Sequence, residues 1–193
     1  MQLGYQFPMT KLNELKVKLL PIVKSQAWLK LKEPIKLASG KMSNTYFDGR
    51  KVTLDPEGMT LFARAILELV DVSQLDAVGG PSLGADPIAT AVSLLAYLEK
   101  KKTLPVFLIR KEPKQYGLQK QVEGADLHQG MKVLVVEDVI TTGKSVKNAI
   151  SIVESHGAKV TQVVCLVDRN EGGKEALKPH PLVSIFKREE VEL

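Results

Sequence analysis

Two adjacent carboxylates and a short polar turn form the stretch of this chain that is best suited to chemistry. Glu137 and Asp138 follow the apolar run 133–136 and precede the turn 141–145, which reads Thr-Thr-Gly-Lys-Ser. Apolar residues then recur at helical spacing over 146–153, so the stretch predicts a buried strand, a tight turn and a helix start. The unpaired N–H groups at a helix N-terminus attract phosphate, whereas two carboxylates repel it. We therefore expect the turn to hold a phosphate, and the acids to hold hydroxyl groups such as those of a ribose.

Three other interpretations of this stretch compete with a phosphate site. Gly143-Lys144-Ser145 matches the end of a P-loop, but that motif needs a glycine where this chain has Asp138. The string Val-Leu-Val-Val-Glu-Asp is typical of receiver domains, which carry it near their start, whereas here it lies in the last third of the chain. The third interpretation is the ordinary strand and turn of any α/β protein.

Polar or glycine-rich segments follow three further apolar runs. Gly79–Pro81 follows one run, Arg110 follows the run 104–109, and Asp168-Arg169 follows the run 159–167. Strand and helix patterns alternate from residue 55 to residue 167, which predicts an α/β fold with a parallel sheet covered on both faces. Ligand sites in such folds lie at the carboxyl ends of the strands. We therefore expect these segments to meet at one edge of the sheet, beside the paired acids.

The remaining elements are predicted from periodicity and from turn residues. A helix is expected from Thr10, its cap, to Gln26, with a kink or an end at Pro21, and another helix opens at Asp55-Pro56. Residues 35–48 predict two strands joined by a Ser-Gly turn, and residues 182–186 predict a last strand. The helix from Pro87 to about Lys102 is expected to be buried on most sides. Residues 112–130 predict a long polar loop, and residues 187–193 a charged tail.

Composition sets limits on the class of protein. The chain of 193 residues has a net charge of +5 and is long enough for one domain with a real core. Basic residues are concentrated between Lys100 and Lys120 without an aromatic-rich strand, which favours a small polyanionic ligand over nucleic acid. No apolar stretch is long enough to cross a membrane, and residues 1–10 do not resemble a secretory signal. The single cysteine, Cys165, is expected to be a buried strand thiol without a disulfide. Taken together, these features predict a cytoplasmic protein without a membrane or nucleic-acid partner.

The stretch 133–145 closely resembles the phosphoribosyl-diphosphate (PRPP) signature of type I phosphoribosyltransferases. In that family the paired acids hold the ribose hydroxyls, and the turn wraps the 5′-phosphate. The resemblance implies the type I phosphoribosyltransferase fold: an α/β domain with a mostly parallel central sheet flanked by helices and a small N-terminal hood. By this resemblance, residues 1–193 form a single domain, with the hood drawn largely from 1–50 and a mobile catalytic loop at about 111–124.

Three further segments resemble the orotate phosphoribosyltransferases within that family. They are Leu-x-Ser-Gly with Ser-x-x-Tyr-Phe in 37–47, Arg-Lys-Glu-x-Lys-x-x-Gly from 110 with a later Val-Glu-Gly, and Asp-Arg-x-Glu-Gly from 168. The implied activity is transfer of the phosphoribosyl group of PRPP to orotate, which gives orotidine 5′-monophosphate and diphosphate in pyrimidine (UMP) synthesis. The implied partners are these small molecules and a second copy of the chain, in a homodimer whose catalytic loop serves the neighbouring site. Mg²⁺ is the implied cofactor, carried on the PRPP diphosphate without protein ligands.

The resemblance also assigns roles to residues. The implied catalytic residues are Lys114, Glu137 and Asp138. The implied orotate-binding residues are Tyr46, Phe47, Thr141 and Arg169. The implied PRPP-binding residues are Arg110, Lys111, Lys114, Glu137, Asp138, Val139, Ile140, Thr141, Thr142, Gly143, Lys144 and Ser145.

The chain departs from some relatives at three positions. Ala38 stands where a lysine is common, Leu83-Gly84 stands where some relatives have Tyr-Lys, and Tyr116 stands where many have histidine. Two alternatives therefore stay open. One is a phosphoribosyltransferase for another base, and the other is a PRPP-sensing regulator that binds nucleic acid and lacks catalysis.

Overall fold

The central element of the protein is a mostly parallel sheet of six strands. The structure is a computed structural model and describes residues 10–36, 42–112 and 121–192. The helices are α1 Lys11–Gln26, α2 Arg50–Thr53, α3 Pro56–Leu69, α4 Ala85–Lys100, α5 Lys144–Ser155, α6 Gly173–Ala176 and α7 Arg188–Val191, with a 3-10 turn at Val72–Gln74. The strands are β1 Trp28–Lys36, β2 Met42–Phe47, β3 Ala77–Pro81, β4 Val106–Ile109, β5 Val122–Gly124, β6 Lys132–Ile140, β7 Lys159–Asp168 and β8 Leu182–Lys187.

The strand order of the central sheet is β5-β4-β3-β6-β7-β8, and β5 alone among these strands runs antiparallel to its neighbour. The carboxyl ends of β3, β4, β6 and β7 therefore lie at one edge, as the alternation of patterns predicts. In β6 the register sets Ile140 beside Asp168 of β7. The predicted α/β class and mostly parallel sheet are confirmed.

Alternating side chains divide the core between the two faces of the sheet. In β6, Leu134 and Val136 pack with α3 and α4, whereas Val133 and Val135 pack with α5 on the opposite face. Strand side chains alternate in direction, so a strand that is apolar at every position must be covered on both sides. Cys165 of β7 is fully buried on the α5 face and makes no disulfide, as predicted.

The hood is the antiparallel pair β1–β2, which sets Trp28 beside Phe47 and Lys36 beside Met42. This pair confirms the predicted hairpin, although its strands begin earlier in the chain than the sequence pattern indicates. The joining turn, with Ala38, lies outside the described residues. The helix α1 is capped by the Thr10 side chain as predicted.

Three local expectations were wrong, and of the two outcomes expected at Pro21, a kink or a helix end, the end is excluded. The helix α1 continues through Pro21 to Gln26, because Val17, whose carbonyl loses its partner to the proline, is exposed to water. One side of α4 is open, with Leu94, Tyr97 and Leu98 each more than half exposed.

The other two corrections concern segments expected to lack structure. The polar stretch after Glu112 contains β5, which pairs Val122 with Ile109 and Gly124 with Phe107. The charged tail contains α7, and its Val191 is fully buried. Among the described residues, no helix is long and apolar enough to cross a membrane.

Candidate active site

Two neighbouring cavities open at the carboxyl edge of the sheet. The turn cavity, of about 540 Å³, is lined by Pro81, Ser82, Ile109, Arg110, Lys111, Asn148 and every residue from Val139 to Ser145. The hood cavity, of about 300 Å³, is lined by Ile35, Tyr46, Phe47, Asp48, Gly49, Arg50, Asp138, Val139, Thr141 and Arg169. Val139 and Thr141 line both cavities. A ligand that spans the two cavities must therefore cross the end of β6.

The turn cavity has the chemistry of an anion site. Gly143 caps α5 with a φ of +76°, a left-handed conformation that an L side chain rarely adopts. The turn thereby directs the first N–H groups of α5, which have no acceptor within the helix, toward the cavity. Arg110, Lys111 and Lys144 add positive charge, and no acidic residue is among the described residues that line the cavity. The arrangement suits a phosphate group.

The paired acids lie near the end of β6, shortly before the predicted turn 141–145. The Asp138 N–H donates to Glu137 Oε1 at 3.1 Å, and the Val139 N–H donates to Asp138 Oδ1 at 2.8 Å. Burial raises the pKa of Glu137 well above its ordinary value, and the charge of Asp138 adds to the rise. Burial also raises the pKa of Asp138. Two buried carboxyl groups in contact favour sharing one proton, so a ligand that brings hydroxyl donors or a cation changes their protonation.

Gly84 allows the acids to occupy this position, and the sequence pattern gave no indication of it. A Cβ at Gly84 would collide with Glu137 Oε1 and would lie 2.9 Å from Asp138 Oδ1. The backbone before α4 therefore packs directly against the two carboxyl groups. A lysine at position 84, as in some relatives, would require the Glu137 carboxyl to move, whereas glycine leaves room for it.

The hood cavity combines an aromatic edge with balanced charges. Tyr46 lines it, and Phe47 lines it while also packing in the core, edge-on to Trp28 with 5.2 Å between ring centroids. The Arg169 side chain is only 12% exposed, and its Nη2 lies 3.2 Å from Glu171 Oε1. A guanidinium fork at the wall of a small cavity suits a carboxylate ligand.

A second guanidinium in the hood cavity, that of Arg50, was missed from the sequence. Arg50 Nε and Nη2 donate to the two oxygens of Asp48 at 2.9 and 3.2 Å. This bidentate pair lowers the pKa of Asp48 and keeps the side chain at the cavity wall. Only its position in the sequence could have indicated this role, because Arg50 comes three residues after the predicted site residue Phe47.

Most of the site residues expected from the sequence lie together. Nine described candidates line the turn cavity: Arg110, Lys111, Val139, Ile140, Thr141, Thr142, Gly143, Lys144 and Ser145. Val139 and Thr141 also line the hood cavity. Asp138, Tyr46, Phe47 and Arg169 line the hood cavity. Glu137 lines neither cavity, because its side chain is buried behind Asp138 and against Gly84. Lys114 and Tyr116 lie outside the described residues.

The fold and the turn cavity define a class of protein, and comparison with known families gives the same class. Residues 55–190 match the phosphoribosyl transferase domain family, to which the chain belongs. The chain is 42% identical to the orotate phosphoribosyltransferase of Aquifex aeolicus, over 90% of this chain and 96% of that protein. The namesake protein of Methanocaldococcus jannaschii is 41% identical, over 88% and 94% of the two chains. Within the family, the chain therefore groups with the orotate phosphoribosyltransferases.

A solved structure is similar over nearly the whole chain. It is the Mycobacterium tuberculosis orotate phosphoribosyltransferase in complex with PRPP, with a TM-score of 0.74 and 30% identity. The match covers 93% of this chain and 99% of that one. That match covers more of the chain than the family model, which spans residues 55–190.

Proposed function

We propose that the protein is an orotate phosphoribosyltransferase, which transfers the phosphoribosyl group of PRPP to orotate and releases diphosphate. The observation that carries this proposal is the junction of two unlike cavities at the end of β6. One has the cations and helix N-terminus that suit a phosphate, and the other has the guanidinium and aromatic groups that suit orotate. The M. tuberculosis relative has been solved with PRPP, which supports the same ligand here.

The 5′-phosphate binds in the turn cavity in this proposal. The N–H groups of 141–145 and the start of α5 donate to its oxygens, and Lys144 adds charge. Arg110 and Lys111, at the far wall after β4, face the leaving diphosphate. Lys114, a few residues on, completes this basic group by sequence resemblance. Neutralising the leaving group lowers the barrier, because negative charge grows on it as the bond to the ribose breaks.

Asp138 and Glu137 act on the ribose. Asp138 lines the cavity wall between the phosphate and base positions, where its carboxylate can accept hydrogen bonds from ribose hydroxyls. Glu137 lines neither cavity and accepts from the Asp138 N–H, so in this proposal it holds Asp138 in place instead of contacting substrate. The C1–O bond to diphosphate breaks, a bond from the orotate ring nitrogen to C1 forms, and the nitrogen proton is released to water.

Orotate occupies the hood cavity. The Arg169 fork holds the orotate carboxylate, Tyr46 and Phe47 border the ring, and Thr141 joins the base position to the phosphate turn. This carboxylate site favours orotate over a base without an acidic substituent. The residues therefore support orotate against the alternative of another base, as do the names of the relatives.

Mg²⁺ fits this donor set as a companion of PRPP. It prefers phosphate oxygens, water and an occasional carboxylate to an all-protein cage, and Asp138 is the carboxylate of the paired acids that lines a cavity. When bound, Mg²⁺ neutralises charge on the diphosphate. Among the described residues, no group of three or more potential ligands forms a dedicated metal site.

The functional unit in this proposal is a homodimer in the cytoplasm. The exposed apolar residues of α4, Leu94, Tyr97 and Leu98, lie on the helix that begins beside Ser82 of the turn cavity, and Leu83 next to it is 71% exposed. An exposed apolar face of this kind suits contact with a second copy of the chain. We expect Leu94→Glu to yield monomers by light scattering, whereas the wild type is a dimer.

The test of the activity follows orotate directly. Loss of orotate absorbance is recorded after addition of PRPP and Mg²⁺, with Asp138→Asn as the inactive variant and the exposed Glu175→Gln as its matched control. The wild type and the control should consume orotate, and Asp138→Asn should be at least about tenfold slower. If orotate were untouched while PRPP still bound, the regulator alternative would replace the enzyme.

A further inference from the structure

We propose that the C-terminal helix α7 is a positioning element for the hood cavity, which it supports at two of its lining residues, Arg169 and Phe47. The inference rests on the proposed function, because its readout is the binding of orotate. None of the α7 residues Arg188–Val191 lines either cavity, so any effect must pass through intervening side chains. Two separate contact routes lead from this short helix to the cavity wall.

The first route reaches Arg169 through a shared carboxylate. Glu171 Oε1 lies 3.2 Å from Arg169 Nη2 and 3.3 Å from Arg188 Nη1. Arg188 is held in turn by Glu192, with contacts of 2.9 Å to Nη2 and 3.3 Å to Nε. One carboxylate oxygen thus joins the guanidinium of the cavity wall to the guanidinium of α7.

This sharing controls how available Arg169 is to a ligand. Glu171 competes with a substrate carboxylate for the donors of Arg169, and the competition is stronger when Glu171 has no other cation. Arg188 draws on the same oxygen and so weakens that competition while holding Glu171 in place. Removing Arg188 leaves Glu171 to pair with Arg169 alone, in a setting where Arg169 is largely shielded from water.

The second route reaches Phe47 through the hood. The Trp28 Nε1–H donates to the Val191 carbonyl at 2.6 Å, and the Trp28 ring packs edge-on against Phe47. Phe47 lines the hood cavity, as Arg169 does. The end of α7 therefore fixes the indole that supports the aromatic side of the site.

The helix α7 is itself anchored, which a positioning element requires. Val191 is fully buried, and the Lys187 N–H donates to Glu190 Oε2 at 2.7 Å as an N-terminal cap. Lys16 of α1 lies 3.6 Å from Glu190 Oε1 and 5.2 Å from the Phe186 ring centroid. These contacts connect α7 to the first helix as well as to the last strand.

The experiment measures KM for each substrate separately in the full chain. We expect Arg188→Ala to raise KM for orotate about three- to tenfold, the scale of one ordinary net hydrogen bond, and to change KM for PRPP less than about twofold. Arg188→Lys should recover part of the loss, because it restores a cation beside Glu171. Arg64→Ala is the matched control. It removes an ion pair between α3 and α4, in which Arg64 Nη2 lies 2.8 Å from Glu99 Oε1, and it should leave both KM values unchanged.

A second variant tests the other route without changing charge. Trp28→Phe keeps a ring beside Phe47 and removes the N–H that bonds Val191, so KM for orotate should rise about two- to fivefold. This variant decides the matter if Arg188→Ala does not stay folded. The inference is overturned if both variants keep the wild-type KM for orotate, or if the two KM values rise together. A wild type that consumes no orotate overturns the proposed function instead.

Discussion

Replacing Glu137 by glutamine should make the free protein more stable while it impairs catalysis. The pKa of Glu137 is raised in the folded state, mainly by burial and then by the charge of Asp138. A raised folded pKa means that the acid contributes stability below its unfolded pKa and loses that contribution as the pH rises through the folded value. At pH 8 the wild type has therefore lost this stabilisation, whereas the neutral amide of Glu137→Gln does not titrate and loses nothing.

The size of the gain follows from the contacts that the amide keeps and makes. In the wild type the Asp138 N–H donates to Glu137 Oε1 at 3.1 Å, and the glutamine Oε1 can accept the same bond. The glutamine amide nitrogen can also donate to the Asp138 carboxylate. One unfavourable buried contact is replaced by one hydrogen bond to a charged group, so we expect a gain of about 1 to 2 kcal/mol. For a chain of this length, that free energy raises Tm by about 2 to 8 °C.

Thermal unfolding at pH 8 and at pH 5, without ligands, tests this reasoning. The gain should be largest at pH 8 and should shrink at pH 5, where the wild-type carboxyl holds its proton. Glu175→Gln, at an exposed position, should show no such dependence, and turnover of Glu137→Gln should fall about tenfold or more. A Tm for Glu137→Gln that is equal to or below the wild-type value at pH 8 would refute the account of the paired acids.

Four further outcomes are expected. Gly84→Ala should lower kcat/KM about tenfold or more, since its Cβ displaces the Glu137 carboxyl; an unchanged value would show that the acid moves freely. Gly143→Ala should cost about 1 to 2 kcal/mol in denaturant unfolding and raise KM for PRPP, because alanine is strained at a φ of +76°. Thr10→Ala should cost about 1 kcal/mol by the same unfolding measurement without changing KM, since it removes only the cap of α1. Mixing Lys114→Ala with Asp138→Asn subunits should restore activity if the loop serves the neighbouring site, and no recovery after subunit exchange would count against shared sites.

The sequence could predict the elements whose pattern is dictated by burial on both faces. The middle parts of β6 and β7, residues 133–136 and 163–167, are apolar at every position because both faces of the sheet are covered. The carboxyl ends of neighbouring parallel strands lie at one edge of the sheet, so the placement of Arg110, Asp138 and Arg169 at that edge followed from topology. The hairpin and the Thr10 cap followed from local rules of the same kind.

The sequence could not predict features that depend on solvent exposure and on tertiary contacts between distant segments of the chain. A kink or an end was expected at Pro21, but the helix continues, because water can bond the carbonyl of the exposed Val17 that the proline leaves without a donor. The roles of Gly84 and Arg50 depend on contacts with residues far along the chain or across a cavity. The helix α7 was missed because a short charged segment has no strong period, and its buried Val191 is a tertiary effect.

The single tryptophan of the chain gives the protein an intrinsic optical reporter. Trp28 is bonded through its indole N–H to the C-terminal helix, and its ring touches Phe47 at the wall of the hood cavity. Emission of an indole depends on the polarity around it, and no other residue contributes tryptophan fluorescence to the signal. Titration of the unlabelled protein should therefore follow occupancy of the hood cavity by its emission, separately from filling of the turn cavity.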